Sequence, residues 1–148
     1  MWQGIINMPT STLFLIEKPY LAIDSLRQVI AYPNKVKYSS QKNMELIFKL
    51  CKMDTLINEL DCVCNWAQIF SGREQQIMYF ARALISKPKW KFIDRAISFL
   101  DIEIEQYLYD VLINYLPTTT LVIFSHKRSD YKFHVRIVDL RTLNKYAR

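Results

Sequence analysis

The pattern of apolar and polar positions predicts short buried strands that alternate with helices. Four apolar stretches are bounded by turn residues, and each is short enough to form a strand inside a sheet. They comprise residues 13–16, 90–93, 121–124 and 135–138, and Lys91 interrupts the second. The alternation predicts an α/β fold with a mostly parallel sheet, in which ligands bind at the carboxyl ends of the strands.

Two helices have clear start and stop signals in the sequence. The first begins at Ser71, where Glu74 three residues later completes a capping box, and it ends before Pro88. The second follows Asp101 as its N-cap and ends before Pro117. Shorter helices are predicted over residues 25–31, 43–51 and 55–60.

The glycine content limits the kinds of nucleotide site that the sequence can encode. The 148 residues, 51% of them apolar, can bury one core, but they include only two glycines, Gly4 and Gly72. Average usage of about 7% would give roughly ten. A G-x-x-x-x-G-K-[ST] phosphate loop or a G-x-G-x-x-G fingerprint cannot be written with these two. We therefore expect no complete mononucleotide site within this sequence.

Charge and cysteine content exclude fewer classes of function than the glycine content does. The formal net charge is +6, but the basic residues are scattered, which favours a solvated surface over a nucleic-acid interface. Three cysteines, Cys51, Cys62 and Cys64, suit neither a disulfide framework nor a four-ligand zinc site. With no apolar run of about 18 residues and no signal-peptide pattern at the start, we expect a soluble or membrane-peripheral protein in a reducing compartment.

Three polar residues follow the predicted strands directly or closely. Glu17 and Asp94 come immediately after the first two, and His126 lies two residues beyond the third. Such positions carry the chemistry of many α/β proteins. They are also ordinary places for a strand-ending aspartate, a loop histidine or a surface carboxylate, so spacing alone leaves both interpretations open.

Four segments, read together, resemble the nucleotide-binding domain of ABC transporters, in the order that this family uses. The segment F-S-G-R-E-Q-Q at residues 70–76 looks like the signature motif L-S-G-G-E-Q-Q. The segment W-K-F-I-D-R-A-I-S-F-L-D at residues 90–101 looks like a Walker B strand and D-loop. Residues 13–21 are similar to a Q-loop, and residues 124–128 place His126 at the switch-histidine position. Short words such as P-Y-L at residues 19–21 are similar to the branch that contains peroxisomal long-chain acyl transporters and their bacterial relatives.

The resemblance implies a fold and a division of the chain. It implies that residues 1–148 form the C-terminal portion of such a domain, a partial P-loop NTPase-like α/β fold that lacks the Walker A strand, loop and helix. Residues from about 24 to 88 would form the helical region with the signature motif. Residues 89–148 would run from Walker B to the switch histidine.

The resemblance also assigns candidate roles to individual residues. The family uses ATP and Mg²⁺. The implied catalytic residues are Asp94 and His126, the implied nucleotide-binding residues are Ser71, Gly72, Glu74 and Asp101, and the implied Mg²⁺ ligands are Asp94 and Glu17.

Three positions depart from the family pattern in ways that affect chemistry. Arg95 stands where the family has a glutamate that polarises the attacking water, and a guanidinium cannot accept a proton. Glu17 replaces the Q-loop glutamine, and Arg73 replaces a glycine, which puts a long side chain at the mouth of the anion site at the helix start. Hydrolysis of ATP by this chain alone is therefore not expected.

The resulting expectation is a truncated, degenerate ATP-binding protein of an ABC transporter. Its expected partners are a transporter membrane domain and a second nucleotide-binding domain at the cytoplasmic face of a membrane, and no nucleic acid is expected. The sequence also leaves open a non-hydrolysing partner subunit, the product of a decayed gene, and a small basic nucleic-acid-binding protein.

Overall fold

A three-stranded parallel sheet, a two-stranded antiparallel pair and five α-helices make up the described part of the chain in this computed structural model. The structure describes residues 7, 9–16, 20–33, 40–94, 99–124 and 136–138. In chain order the elements are β1 (Thr12–Leu15), β2 (Ile23–Ser25), α1 (Leu26–Ala31), α2 (Gln41–Leu50), a 3₁₀ helix (Asp54–Glu59), β3 (Val63–Asn65), α3 (Trp66–Ile69), α4 (Gly72–Ser86), β4 (Trp90–Asp94), α5 (Ile102–Tyr115) and β5 (Thr120–Phe124).

The parallel sheet has the order β1-β4-β5, so β4 is its central strand. Its register pairs Leu15 with Ile93 and Asp94 with Phe124. Side chains alternate between two faces along each strand. Leu15 and Ile93, on the inner face, are fully buried in the core. The parallel arrangement predicted from the sequence is confirmed.

The outer face of this sheet carries an aromatic surface, which we call the aromatic face and define as Phe14, Trp90, Phe92 and Phe124. The Phe14 and Phe92 rings stack with centroids 4.9 Å apart, and Trp90 lies 6.4 Å from Phe92. Phe14 is 50% exposed and Phe124 is 49% exposed. Parallel sheets are usually covered on both faces. Within the described residues this face is only partly covered.

Side-chain caps define the starts of the longer helices. Ser71 and Glu74 form the predicted capping box at the start of α4, and the Asp101 side chain accepts the Ile104 N–H at the start of α5. Ser40 caps α2, where its side chain accepts the Asn43 N–H, without the reciprocal carboxylate of the α4 capping box. Both predicted long helices are therefore confirmed.

The core lies between the helices and the inner face of the sheet, with α4 at its centre. Nine successive residues of α4, 76–84, are buried, which requires neighbours on several sides of the helix. Among the largest fully buried side chains are Trp66, Tyr109, Phe48 and Phe80. None of the described helices combines the length and apolar character that a bilayer crossing requires.

Some predictions from the apolar pattern were incomplete or wrong. The strand predicted over 135–138 is absent at residues 136–138, where Ile137 and Val138 are about half exposed and irregular, and Val135 lies outside the described residues. The β2–β3 pair was not predicted, because strands of three residues leave almost no periodic signal. Lys91 does not reach solvent from the sheet: its side chain is fully buried, with Nζ 4.9 Å from the centre of the Phe80 ring.

Candidate functional site

The N-terminal end of α4 is capped by side chains of its own first turn, those of Ser71 and Glu74. Glu74 Oε2 accepts hydrogen bonds from the Ser71 N–H at 2.8 Å and from the Ser71 hydroxyl at 2.7 Å. Ser71 Oγ in turn accepts from the Glu74 N–H at 3.3 Å. The N-terminal end of a helix attracts anions through its free N–H groups and its dipole. Here the Glu74 carboxylate already lies at that end of α4. A bound anion would have to share these hydrogen-bond donors with Glu74 or displace its carboxylate.

Gly72 and Gln76 connect α4 to the chain that follows β4. A side chain at Gly72 would have its Cβ only 3.2 Å from the Phe99 ring, so glycine permits this close approach. One turn later, Gln76 Oε1 accepts the Phe99 N–H at 2.9 Å. These contacts fix the chain about five residues beyond Asp94 against the beginning of α4.

Arg73 makes an ion pair that the sequence did not predict. Its Nη1 donates to Asp101 Oδ2 at 2.9 Å, and both side chains are about half exposed. Asp101 Oδ1 also accepts the Ile104 N–H at 2.9 Å. This N-cap hydrogen bond is the main cause that lowers the pKa of the Asp101 carboxyl, and the nearby Arg73 charge acts in the same direction. Arg73 therefore joins the start of α4 to the start of α5.

Asp94 ends the central strand at the carboxyl edge of the sheet and is exposed. A carboxylate in this position fits Mg²⁺, which favours oxygen ligands and often uses one or two carboxylates together with substrate phosphates. No cluster of three or more metal-ligating side chains exists among the described residues. Asp94 therefore offers one carboxylate at this edge of the sheet, and its role as a Mg²⁺ ligand stays a prediction.

The structure brings some of the candidate residues together. Ser71, Gly72 and Glu74 form one turn, and Arg73 links that turn to Asp101. No hydrogen bond or ion pair between described residues joins Asp94 directly to this turn. Glu17, Arg95 and His126 lie outside the described residues, so their roles stay predictions.

An open cavity of about 350 Å³ lies beside the start of α4, and the sequence did not predict it. Ser71, Arg73 and Glu74 line it together with Lys52 and Tyr107. Lys52 Nζ lies 4.2 Å from the centre of the Tyr107 ring. These residues come from three distant parts of the sequence, and no local motif connects them.

Comparison with known proteins gives a consistent result. The chain is 33% identical over 133 residues to an uncharacterised ABC transporter ATP-binding protein of Haemophilus influenzae, which covers 89% of this chain and 22% of the relative. It is 26% identical over 140 residues to ATP-binding cassette sub-family D member 1 of Drosophila melanogaster, which covers 90% of this chain and 19% of the relative. No protein-family model matches the chain.

Among solved structures, a bacterial Atm1-family ABC exporter with ATP bound is similar, with a TM-score of 0.68 and 22% sequence identity. That match covers 80% of this chain and 22% of the exporter chain, and it supports the fold. The chain thus spans about a fifth of the length of the proteins that it matches.

Proposed function

The chain belongs with the ATP-binding proteins of ABC transporters, of which it spans a part, and we propose that it contributes the start of α4 and Asp94 to a nucleotide site that a second ATP-binding domain completes. The observation that supports this proposal is the proximity in the chain of Asp94 to a residue, Phe99, that contacts the start of α4. Asp94 ends β4, and Phe99, five residues later in the sequence, contacts the first turns of α4 at Gly72 and Gln76.

Several residues support a binding role without hydrolysis by the chain alone. The 148 residues contain no phosphate loop, because Gly4 and Gly72 are their only glycines. Arg95 occupies the position at which the family has its general base. Since general-base help contributes typically ~10²- to 10⁴-fold in rate, its loss alone makes hydrolysis slow. Glu17, His126 and Asp101 keep their proposed roles around the same nucleotide and Mg²⁺.

The proposed setting is a transporter at the cytoplasmic face of a membrane. There the chain would contact a membrane domain and a second ATP-binding domain. The incompletely covered aromatic face of the parallel sheet agrees with a unit that works inside a larger assembly, because half-exposed Phe14 and Phe124 favour burial.

An ATP-dependent capture experiment tests this proposal. The tagged full chain is incubated with membranes from its source cells, with and without ATP and Mg²⁺, and captured proteins are identified by mass spectrometry. We expect an ABC ATP-binding domain with a complete phosphate loop to be captured only with ATP. The Ser71→Arg variant, which puts a bulky cation at the proposed contact, should lose this capture.

Ser40→Arg is the matched control. It removes an equivalent N-cap from α2, so it has a comparable stability cost but lies outside the proposed site. The proposal is wrong if ATP does not alter capture, or if Ser71→Arg and Ser40→Arg behave alike.

A further inference from the structure

The open cavity beside the start of α4 also has lining residues that the proposed function does not use. Its volume is about 350 Å³. Four residues of its lining are buried members of the core, and we call them the apolar floor: Cys51, Met53, Ile77 and Leu108. Cavities of roughly 300–1,000 Å³ with an apolar lining and a few polar groups are typical of small-molecule sites. The polar groups around this floor therefore decide which ligand the cavity suits.

Lys52 is held beside the apolar floor by the end of α2. Its N–H donates to the Lys49 carbonyl oxygen at 3.0 Å, and the Met53 N–H donates to the Phe48 carbonyl oxygen at 2.9 Å. These two hydrogen bonds, with Lys52 in the left-handed conformation at φ 56°, form a Schellman motif. The exposed Lys52 side chain then reaches α5, where its Nζ lies 4.2 Å from the centre of the Tyr107 ring. Lys52 and Tyr107 both line the cavity.

The charged groups that line the cavity differ in the partners that they already have. Arg73 donates to Asp101, and Glu74 Oε2 accepts two hydrogen bonds from Ser71. Lys52 takes part in neither of the two ion pairs that join described residues. Its ammonium group is therefore available to an anion, and hydrogen bonds between charged groups are stronger than those between neutral groups.

We propose that the cavity binds a small organic anion with an apolar body, such as an aryl carboxylate. The carboxylate pairs with Lys52 Nζ, and the apolar body covers the apolar floor. A neutral molecule of the same shape lacks the first interaction, and inorganic phosphate lacks the second. The proposal does not rest on the proposed function, because neither a nucleotide nor a second domain takes part in this contact.

Nuclear magnetic resonance of the full chain with ¹³C-labelled methionine methyl groups tests the proposal. Met53 lines the cavity, whereas Met44 and Met78 are fully buried and do not line it. The Met53 signal is assigned by its loss in Met53→Leu. Naphthoate is the probe, because the ring current of its aromatic system shifts the signals of methyl groups that it contacts. We expect a saturable shift of the Met53 signal, with the Met44 and Met78 signals unchanged.

Naphthalenemethanol measures the contribution of the charge, because it has the same ring system without the carboxylate. We expect it to bind about tenfold more weakly than naphthoate, as the loss of a charge-assisted hydrogen bond implies. Inorganic phosphate at the same concentration should leave the Met53 signal in place, because it has no apolar body.

Lys87 provides a matched control for Lys52. It is the C-cap of α4 in the left-handed conformation at φ 43°, and its Nζ lies 5.3 Å from the centre of the Tyr115 ring. Neither Lys87 nor Tyr115 lines this cavity. Glycine adopts the left-handed conformation without strain, so Lys52→Gly and Lys87→Gly should both keep the fold. We expect Lys52→Gly to weaken naphthoate binding about tenfold and Lys87→Gly to leave it unchanged.

Several results would overturn the proposal. They are no Met53 shift with naphthoate, an equal shift of the Met44 and Met78 signals, equal affinity for naphthoate and naphthalenemethanol, or equal effects of the two glycine variants. A larger Met53 shift with ATP and Mg²⁺ than with naphthoate would also overturn it, by making the cavity part of a nucleotide site. If Lys52→Gly does not fold, the comparison of the two naphthalene compounds on the wild type still decides. No second ATP-binding domain is present in these measurements, so their failure is distinct from failure of the proposed function.

Discussion

Replacing Lys91 with methionine is expected to stabilise the protein. Lys91 lies in the central strand with 0% of its surface exposed, and its Nζ has no hydrogen-bond partner among the described residues. Burial lowers the pKa of Lys91 well below its usual range, and the nearby Cys51 acts weakly in the opposite direction. Methionine is unbranched and of similar length, so it fills the same space without a polar end.

The size of the effect follows from two opposing contributions. A buried polar group without a hydrogen-bond partner costs about 1–3 kcal/mol. Loss of the contact between Nζ and the Phe80 ring, at 4.9 Å, removes about 0.5–1 kcal/mol of stabilisation. The net gain therefore lies between about 0 and 2.5 kcal/mol, and a gain of about 1 kcal/mol near the middle of this range corresponds to a rise in Tm of roughly 2–4 °C for a chain of this size.

The pH dependence gives a second and more specific signature. Because the pKa of Lys91 is lower in the folded protein, the unfolded chain binds more protons between that pKa and the usual 10.5. The free energy of unfolding therefore rises with pH in this window, by at most about 1.4 kcal/mol per pH unit. Burial raises the pKa of the Cys51 thiol from 9.0 to about 12, so above pH 9 this group lowers stability as pH increases.

Urea unfolding between pH 6 and 8.5, followed by tryptophan fluorescence, to which buried Trp66 contributes, measures both effects. Lys89→Met is the matched control, because Lys89 is exposed two residues earlier and should change stability by less than about 0.5 kcal/mol. Lower stability of Lys91→Met than of the wild type at pH 7, or an unchanged pH slope in the variant, would contradict these expectations.

Three further predictions concern helix ends and the aromatic face. Ser71→Ala should lower the free energy of unfolding by about 1 kcal/mol in urea through loss of the α4 cap, and no change would contradict the observed capping box. The stabilisation that accompanies the lowered pKa of Asp101 is present above the usual pKa of 3.8 and is lost as pH falls through the lower folded value. Asp101→Asn keeps a capping side chain and should reduce this acid sensitivity in unfolding curves between pH 5 and 2, whereas an unchanged profile would assign it to other groups. Phe14→Ser and Phe92→Ser should each reduce concentration-dependent light scattering of the isolated chain, and increased scattering would argue against an exposed apolar face.

The parts of the fold that the sequence predicts well are those with local signals. Helices α4 and α5 have caps, apolar periodicity and a following proline within one segment, so neighbouring residues specify them. The three strands of the parallel sheet were predicted to within one residue at each end. The β2–β3 pair was missed because Ile23 and Asn65 are distant in sequence, and only the folded chain brings them together.

In the candidate site, too, contacts within one short motif are predictable from the sequence, and contacts between residues distant in sequence are not. Ser71, Gly72 and Glu74 were predicted from a short motif, and their mutual contacts follow from helix capping. The Arg73–Asp101 pair joins residues 28 positions apart, and their motifs identify both residues but not the contact between them. The inward position of Lys91 follows from strand alternation with buried Ile93, but the absence of a hydrogen-bond partner for Nζ depends on the packing around it.

The most direct test of the central claim is phosphate release by the purified full chain with ATP and Mg²⁺, compared with its Asp94→Asn variant. Both are expected to release phosphate at the same background rate, because we propose that a second domain completes the nucleotide site. Turnover by the wild type that clearly exceeds this background and disappears in Asp94→Asn would contradict it.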